Sequence, residues 1–218
     1  MRLIRVMCTG RVDMAFVLRA LSKGTDGVFI VGCNLGECNY TPQGNFHALG
    51  MVLLCKKMLE HVGLNPERLR VEFMSSGDGI RFAELMNEFG GKIRQIGPLG
   101  KSEGMSGDEL KLKLAAITNI IPFLRLLERE RLRVSFKTLE EFHAFFASDE
   151  VNKIFKEAVA DNLAISQIML LLKEKPMPTG EIAERIGLTP SDVSRYMNTS
   201  SRQGLVSYDE GLKSYALA

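Results

Sequence analysis

The sequence predicts an α/β protein in three parts: a small doubly wound parallel sheet domain, an all-helical linker region, and a winged helix-turn-helix domain. Three observations predict it. Across residues 1–100, short apolar runs alternate with stretches of helical periodicity, the pattern of a parallel sheet with helices on both faces. KSEGMSGDE, residues 101–109, is a glycine- and serine-rich break followed by helical patterns alone. The final stretch, from about residue 161, reads as helix, short helix, turn at Gly187-Leu188-Thr189, second helix and a small hairpin around Glu210-Gly211. The expected boundaries are therefore 1–100, 101–160 and 161–218.

Each element has its own signal. RLIRVMC, residues 2–8, reads as a first strand. Val12, Phe16, Val17, Leu18 and Leu21 carry helical spacing up to Lys23-Gly24, glycine being suited to the left-handed residue that closes a helix. Residues 28–32 are apolar on both faces, as parallel strands are. Asn45 is placed to cap a helix running to about His61 and Gly63. LRVEFM, residues 69–74, reads as a third strand, followed by the turn SSGDG and a helix through Phe89. A long helix over 108–131 is expected to kink at Pro122. Thr138 and Ser148 each precede an acidic helix start, as N-caps do.

Composition narrows the function classes. Of 218 residues, 45% are hydrophobic and 25% charged, which is enough to bury a core without disulfides. The net charge of +2 implies neither a nucleic-acid nor a membrane partner. No apolar run reaches the roughly 18 residues of a membrane span, and the N-terminus lacks a signal-peptide apolar region. The reading is a cytoplasmic protein, in which the four cysteines serve metal, redox chemistry or packing.

Cys8 and Cys33 end the first and second expected strands, and Cys38 follows in the glycine-rich GCNLGEC. Strand ends of a parallel sheet share one edge, where ligands collect, so these three thiols are candidates for one site. The C-x4-C spacing of Cys33 and Cys38 is also the first spacing of plant-type ferredoxin ligation, and Gly32 and Gly36 allow the backbone to fold closely around a cluster. Small buried hydrophobes, a redox dithiol and an incomplete zinc site are the competing readings. Cys55 lies in register with Ala48, Met51, Val52, Met58, Leu59 and Val62, the spacing of a core face; packing is its expected role, with a fourth cluster ligand as the alternative. His47, His61 and His143 lack metal-ligand spacing, and SSGDG lacks a full dinucleotide fingerprint. No set of residues for bond-making catalysis is present.

RLIRVMCTGRVD, GTDGVFIVGCNLGECNYTPQGN, GLNPERLRVEF and IRQIGPLG together resemble the delta subunit of methyl-viologen-reducing hydrogenases over residues 1–100. The resemblance implies an electron-transfer subunit with a two-iron two-sulfur cluster. Its partners would be a hydrogenase or other dehydrogenase and a heterodisulfide-reductase-type flavoprotein subunit, joined in a hetero-oligomer. It places the family's cysteines on Cys8, Cys33 and Cys38. Two departures are expected: the family's upstream cysteine-rich segment has no counterpart in a chain starting at Met1, and Asn39 stands where a histidine commonly follows the last cysteine.

The resemblance does not extend to residues 101–218. On the expected reading helix, about 191–203, Ser194, Arg195, Asn198, Ser201 and Arg202 are the candidates for base contact. Residues 161–218 hold 6 Lys/Arg against 7 Asp/Glu. DNA affinity derives largely from phosphate neutralisation, so protein docking or dimerisation is the favoured role of this module. A redox-responsive DNA-binding regulator is the alternative function.

Overall fold

The computed structural model describes residues 1–40 and 43–218; Thr41 and Pro42 of the GECNYTPQGN stretch lie outside the described residues. The chain divides into two compact units, Met1–Leu110 with Ile121–Asn152, and Lys111–Ile120 with Lys153–Ala218. The connector anticipated over 101–160 is therefore shared out between the two.

In the first unit, α1 (Met14–Ser22) starts at Asp13, whose Oδ1 accepts a bond from the Ala15 N–H at 2.8 Å. It ends before Gly24, which takes φ +84°. Strand β1 (Val28–Gly32) pairs in parallel with β2 (Leu69–Phe73), with Ile30 opposite Val71. The crossover between them is α2 (Asn45–His61), which buries eleven residues. Helix α3 (Gly79–Ile96) covers the sheet face that carries Phe29 and Arg70: Phe29 stacks on Phe89 with ring centroids 5.2 Å apart, and Arg70 pairs with Glu88 at 2.9 Å.

Two expectations change here. Residues 2–8 form no strand, and the parallel sheet has two strands among the described residues, short of a doubly wound sheet. Leu3, Ile4 and Met7 are 77%, 82% and 97% exposed. Their β-prone side chains meet no neighbouring strand, and a strand is stabilised by cross-strand partners more than by its own propensity.

The end of this α/β layer is fastened by an arginine that the sequence does not advertise. Arg68, 1% exposed, donates through Nε and Nη2 to the Glu103 carboxylate at 2.6 and 3.0 Å. It also donates to the carbonyls of Asp26 and Gly97 at 3.0 and 2.9 Å and of Pro98 at 3.4 Å. Glu103 in turn accepts from the N–H groups of Asn65 and Gly100. Gly97 and Gly100, at φ +84° and +79°, turn the chain around this cluster. The IGPLGKSEG segment is thus a clasp across the start of β2, not a loose linker.

After it come α4 (Gly107–Asn119) and α5 (Ile121–Leu127), separate helices where one kinked helix was expected. Pro122, lacking an N–H, sits at the start of α5, where that donor has no helical partner to lose. Helix α6 (Leu139–Ala147) carries the expected capping box between Thr138 and Glu141. The Ser148 hydroxyl accepts from the Val151 N–H at the start of α7 (Asp149–Ile154). Within the first unit, Phe142 of α6 stacks on Phe46 of α2, and Arg125 of α5 grips Asp13 through two bonds of 2.7 and 2.9 Å.

The second unit contains a winged helix. A segment of π-helix (Phe155–Ala160) leads into α8 (Asp161–Glu174), followed by α9 (Thr179–Ile186) and α10 (Pro190–Arg202). Strands β3 (Val206–Asp209) and β4 (Ser214–Leu217) form the antiparallel wing. Gly187 takes the left-handed conformation that closes α9, and the Thr189 side chain caps α10. Ile168, Ile182, Val193, Met197 and Val206 make its core.

Candidate functional site

Cys8, Cys33 and Cys38 come together. Cys8 immediately precedes a 3-10 turn (Thr9–Arg11), Cys33 follows the last residue of β1, and Cys38 lies in the loop before α2. The Cys38 thiol is within hydrogen-bonding reach of both Cys33 and Cys8. With Thr9, Met74 and Asp78, the three cysteines line one cleft of about 510 Å³. It opens beyond the carboxyl ends of the parallel strands, as ligand sites of such sheets do. None of the four cysteines forms a disulfide.

Close backbone packing holds the thiols in place. A Cβ on Gly44 would stand 2.1 Å from Cys38 Sγ, and one on Gly10 would stand 2.2 Å from the Gln43 carbonyl oxygen. One on Gly32 would stand 2.7 Å from Thr9 Oγ1. These glycines let three chain segments approach one another beside the sulfurs. Gly36 turns the GCNLGEC loop at φ +86°.

Asn45 does different work from the helix cap expected of it. It is the first residue of α2 and fully buried. Its Nδ2 donates to the carbonyls of Cys33 and Asn34 at 2.9 and 2.6 Å and lies 3.8 Å from Cys33 Sγ. The amide therefore fixes the peptide that carries Cys33 and also presents an N–H to its sulfur. No local sequence signal marks this role, because the partners lie eleven and twelve positions away.

The sulfurs differ electrostatically. Local desolvation and the adjacent Cys38 push the thiol of the exposed Cys33 above its ordinary value. Burial opposes ionisation of Cys38 too, but the Tyr40 and Asn45 backbone N–H groups and the thiols of Cys33 and Cys8 outweigh it and lower its pKa. A thiolate is the form that binds metal, and Cys38 is the sulfur that this environment readies for it.

Cys55 stands apart. It is fully buried on α2 among the expected core positions, and burial pushes its thiol up to about 12. His47 Nδ1 lies 3.4 Å from Glu128 Oε1, and local desolvation lowers the pKa of the exposed His61. The SSGDG turn borders the cysteine cleft, yet the Asp78 carboxylate bonds back to the Ser75 N–H at 2.9 Å and makes no cap to α3. Among the described residues, no three His, Cys, Asp or Glu side chains are disposed to hold a single metal ion.

In the winged helix, Arg195 is engaged within its own module. Its guanidinium lies 4.6 Å from the Tyr196 ring centroid and 3.7 Å from Asp161, whose carboxylate also accepts the Tyr196 hydroxyl at 2.7 Å. Asn198, Ser201 and Arg202 are exposed. No helix among the described residues is long and apolar enough to cross a membrane.

Comparison with known proteins matches two separate stretches of the chain. Residues 166–208 match the family described as bacterial regulatory protein, arsR family, which agrees with the winged helix seen there. Residues 1–97 match the family of the methyl-viologen-reducing hydrogenase delta subunit. The iron-sulfur subunit of the F420-non-reducing hydrogenase of Archaeoglobus profundus is 45% identical over 97 residues, 44% of this chain and 70% of that protein. The corresponding vhu iron-sulfur subunit of Methanopyrus kandleri is 41% identical over 98 residues, 45% of this chain and 74% of that protein. The same stretch is 43% identical over 99 residues to one subunit of the ferredoxin/F(420)H(2)-dependent CoB-CoM heterodisulfide reductase of Methanosarcina acetivorans, 45% of this chain but only 12% of that longer protein. Through residues 1–97, which carry all three clustered thiols, the chain belongs to the methyl-viologen-reducing hydrogenase delta subunit family.

Proposed function

We propose that the chain is an electron-transfer subunit. Cys8, Cys33 and Cys38 would hold a two-iron two-sulfur cluster, and the chain would relay electrons from a hydrogenase or other dehydrogenase to a heterodisulfide-reductase-type flavoprotein subunit in a cytoplasmic hetero-oligomer. The observation that carries this reading is the meeting of three thiols from separate segments at one sheet end. The donor set suits the group. A two-iron cluster spreads its thiolates over two metals, so it does not require three donors around one ion. When bound, the cluster supplies one-electron chemistry. The chain's own residues orient the thiolates: Gly10 and Gly44 by close approach, Asn45 through the peptide of Cys33. The names of the relatives, which are iron-sulfur subunits of hydrogenases and part of a heterodisulfide reductase, support the same partners.

Three thiols leave one position of a four-thiolate cluster to be filled. Cys55, sealed in the core with a thiol that ionises only near about 12, is not suited to it, so a partner subunit or a segment upstream of Cys8 is the source. The complex prepared without oxygen should contain iron and acid-labile sulfide in equal amounts. Cys33→Ser and Cys38→Ser should each remove most of both, and Cys55→Ala should retain them. Wild-type complex without iron would refute the reading.

The match of residues 166–208 to arsR-type regulators favours a second reading, a redox-responsive DNA-binding regulator. The engagement of Arg195 with Tyr196 and Asp161 weighs against it, since the expected reading helix then has Arg202 as its other arginine. Such a regulator would bind DNA with a logarithmic affinity that falls linearly with logarithmic salt. Salt-insensitive or absent binding to upstream DNA by both oxidised and reduced protein would end this reading.

A further inference from the structure

The geometry points to Thr9 as a potential-setting residue of the cysteine site, working beside Asn45; this inference rests on the iron–sulfur reading above. Thr9 follows Cys8 directly, lines the cysteine cleft and is 5% exposed. Its hydroxyl has no hydrogen-bond partner among the described residues. Buried hydroxyls are ordinarily paired, and this one lies against Gly32, the residue before Cys33. An unused O–H thus lies in the cleft wall, on the residue after Cys8 and against the residue before Cys33. The Asn45 amide N–H reaches to 3.8 Å from Cys33 Sγ. The site therefore holds two side-chain donors, one already committed and one unsatisfied.

Hydrogen bonds to the sulfurs of an iron–sulfur site are among the levers that set its reduction potential. A cluster held by these thiols would gain one negative charge on one-electron reduction by the proposed dehydrogenase partner, while the donor protons would stay on Thr9 Oγ1 and Asn45 Nδ2. Each donor favours the more negative state and so raises the potential. Thr9 is a positioning residue in this sense and touches no substrate.

The test compares Thr9→Val and Thr9→Ser with wild type in the complex prepared without oxygen. Iron and sulfide are assayed first, and the midpoint is then read by a dithionite titration followed by electron paramagnetic resonance. Thr9→Val should keep full iron and sulfide while weakening electron binding by about tenfold, a fall of about 59 mV for one electron. Thr9→Ser, which keeps the hydroxyl, should titrate with wild type. The iron-free Thr9→Val chain should melt no lower than wild type, because the hydroxyl it loses has no partner among the described residues. Equal potentials for Thr9→Val and wild type at equal iron would overturn the inference and leave the electron-transfer reading standing. Loss of iron in Thr9→Val alone would also overturn it, making Thr9 an assembly residue. Absence of iron from wild type would overturn the electron-transfer reading itself.

Discussion

Replacing Arg68 with alanine lowers the stability of the first unit by about 3–5 kcal/mol, the cost of removing one partner from a buried ion pair. The size of the effect follows from the surroundings. The Arg68 side chain is fully buried, and that of Glu103 is 9% exposed. Without the guanidinium, the Glu103 carboxylate loses its counter-ion and the carbonyls of Asp26, Gly97 and Pro98 lose the donor it supplies. Urea denaturation of wild type and Arg68→Ala measures the difference; a loss under about 1 kcal/mol, the scale of an exposed pair, would show that the clasp contributes little. The same cluster sets an acid limit. Burial raises the Glu103 pKa, but Arg68 and the N–H groups of Asn65 and Gly100 outweigh it, so the folded value lies below the ordinary 4.5. A folded pKa below the unfolded one gives stability that is complete above about 4.5 and fades as pH falls through the lowered value. Glu103→Gln should flatten that acid limb.

On the proposed iron–sulfur reading, Gly44→Ala should cost the site at least tenfold in iron retention, within the roughly 10–100-fold range typical of residues that support metal ligands. The added methyl would stand 2.1 Å from Cys38 Sγ, well inside contact distance, and 3.4 Å from the Tyr40 carbonyl oxygen. The sulfur or the backbone has to shift, and Cys38 is the thiol whose pKa this loop lowers. Gly36→Ala, with open space around its added methyl, tests the alternative that any change in this loop is harmful. It carries only the strain of φ +86° and should retain more iron. Chelator-driven iron release, followed by absorbance, separates the two; equal release would show that the contact between Gly44 and Cys38 is not what matters.

Much of the fold is legible where the signal is local. Glycines at helix ends, the Thr138 capping box and the helix-turn-helix punctuation at Gly187 and Thr189 each act within a turn or so of chain, and each stands where the sequence places it. The place of Cys33 and Cys38 beyond the end of β1 is legible from the parallel-strand pattern; Cys8 joins them from ahead of a 3-10 turn, without the strand expected to carry it. The misses are long-range. RLIRVMC has strand-like composition, but composition does not supply the neighbour a strand needs. Asn45 has the chemistry of a cap and is used instead to hold a peptide twelve residues away. Arg68 looks like a surface charge at a strand start, and only its partner 35 positions on makes burial tolerable. Pro122 suggested a kink, and the chain instead begins a new helix there, whose Arg125 and following Glu128 turn towards Asp13 and His47.

The packing of helix α6 and Arg125 against residues 1–97 within the first unit bears on modularity. The stretch shared with the hydrogenase and reductase relatives stops at residue 97, yet in this protein Phe46 rests on Phe142 and Asp13 is held by Arg125. A polypeptide cut at that homology boundary would leave the aromatic end of its central helix wet and a capping carboxylate without its counter-ion. Here residues 121–152 form part of the wall of the module that the family match covers, so swapping cassettes between family members at residue 97 would need the replacement to bring, or to do without, that covering.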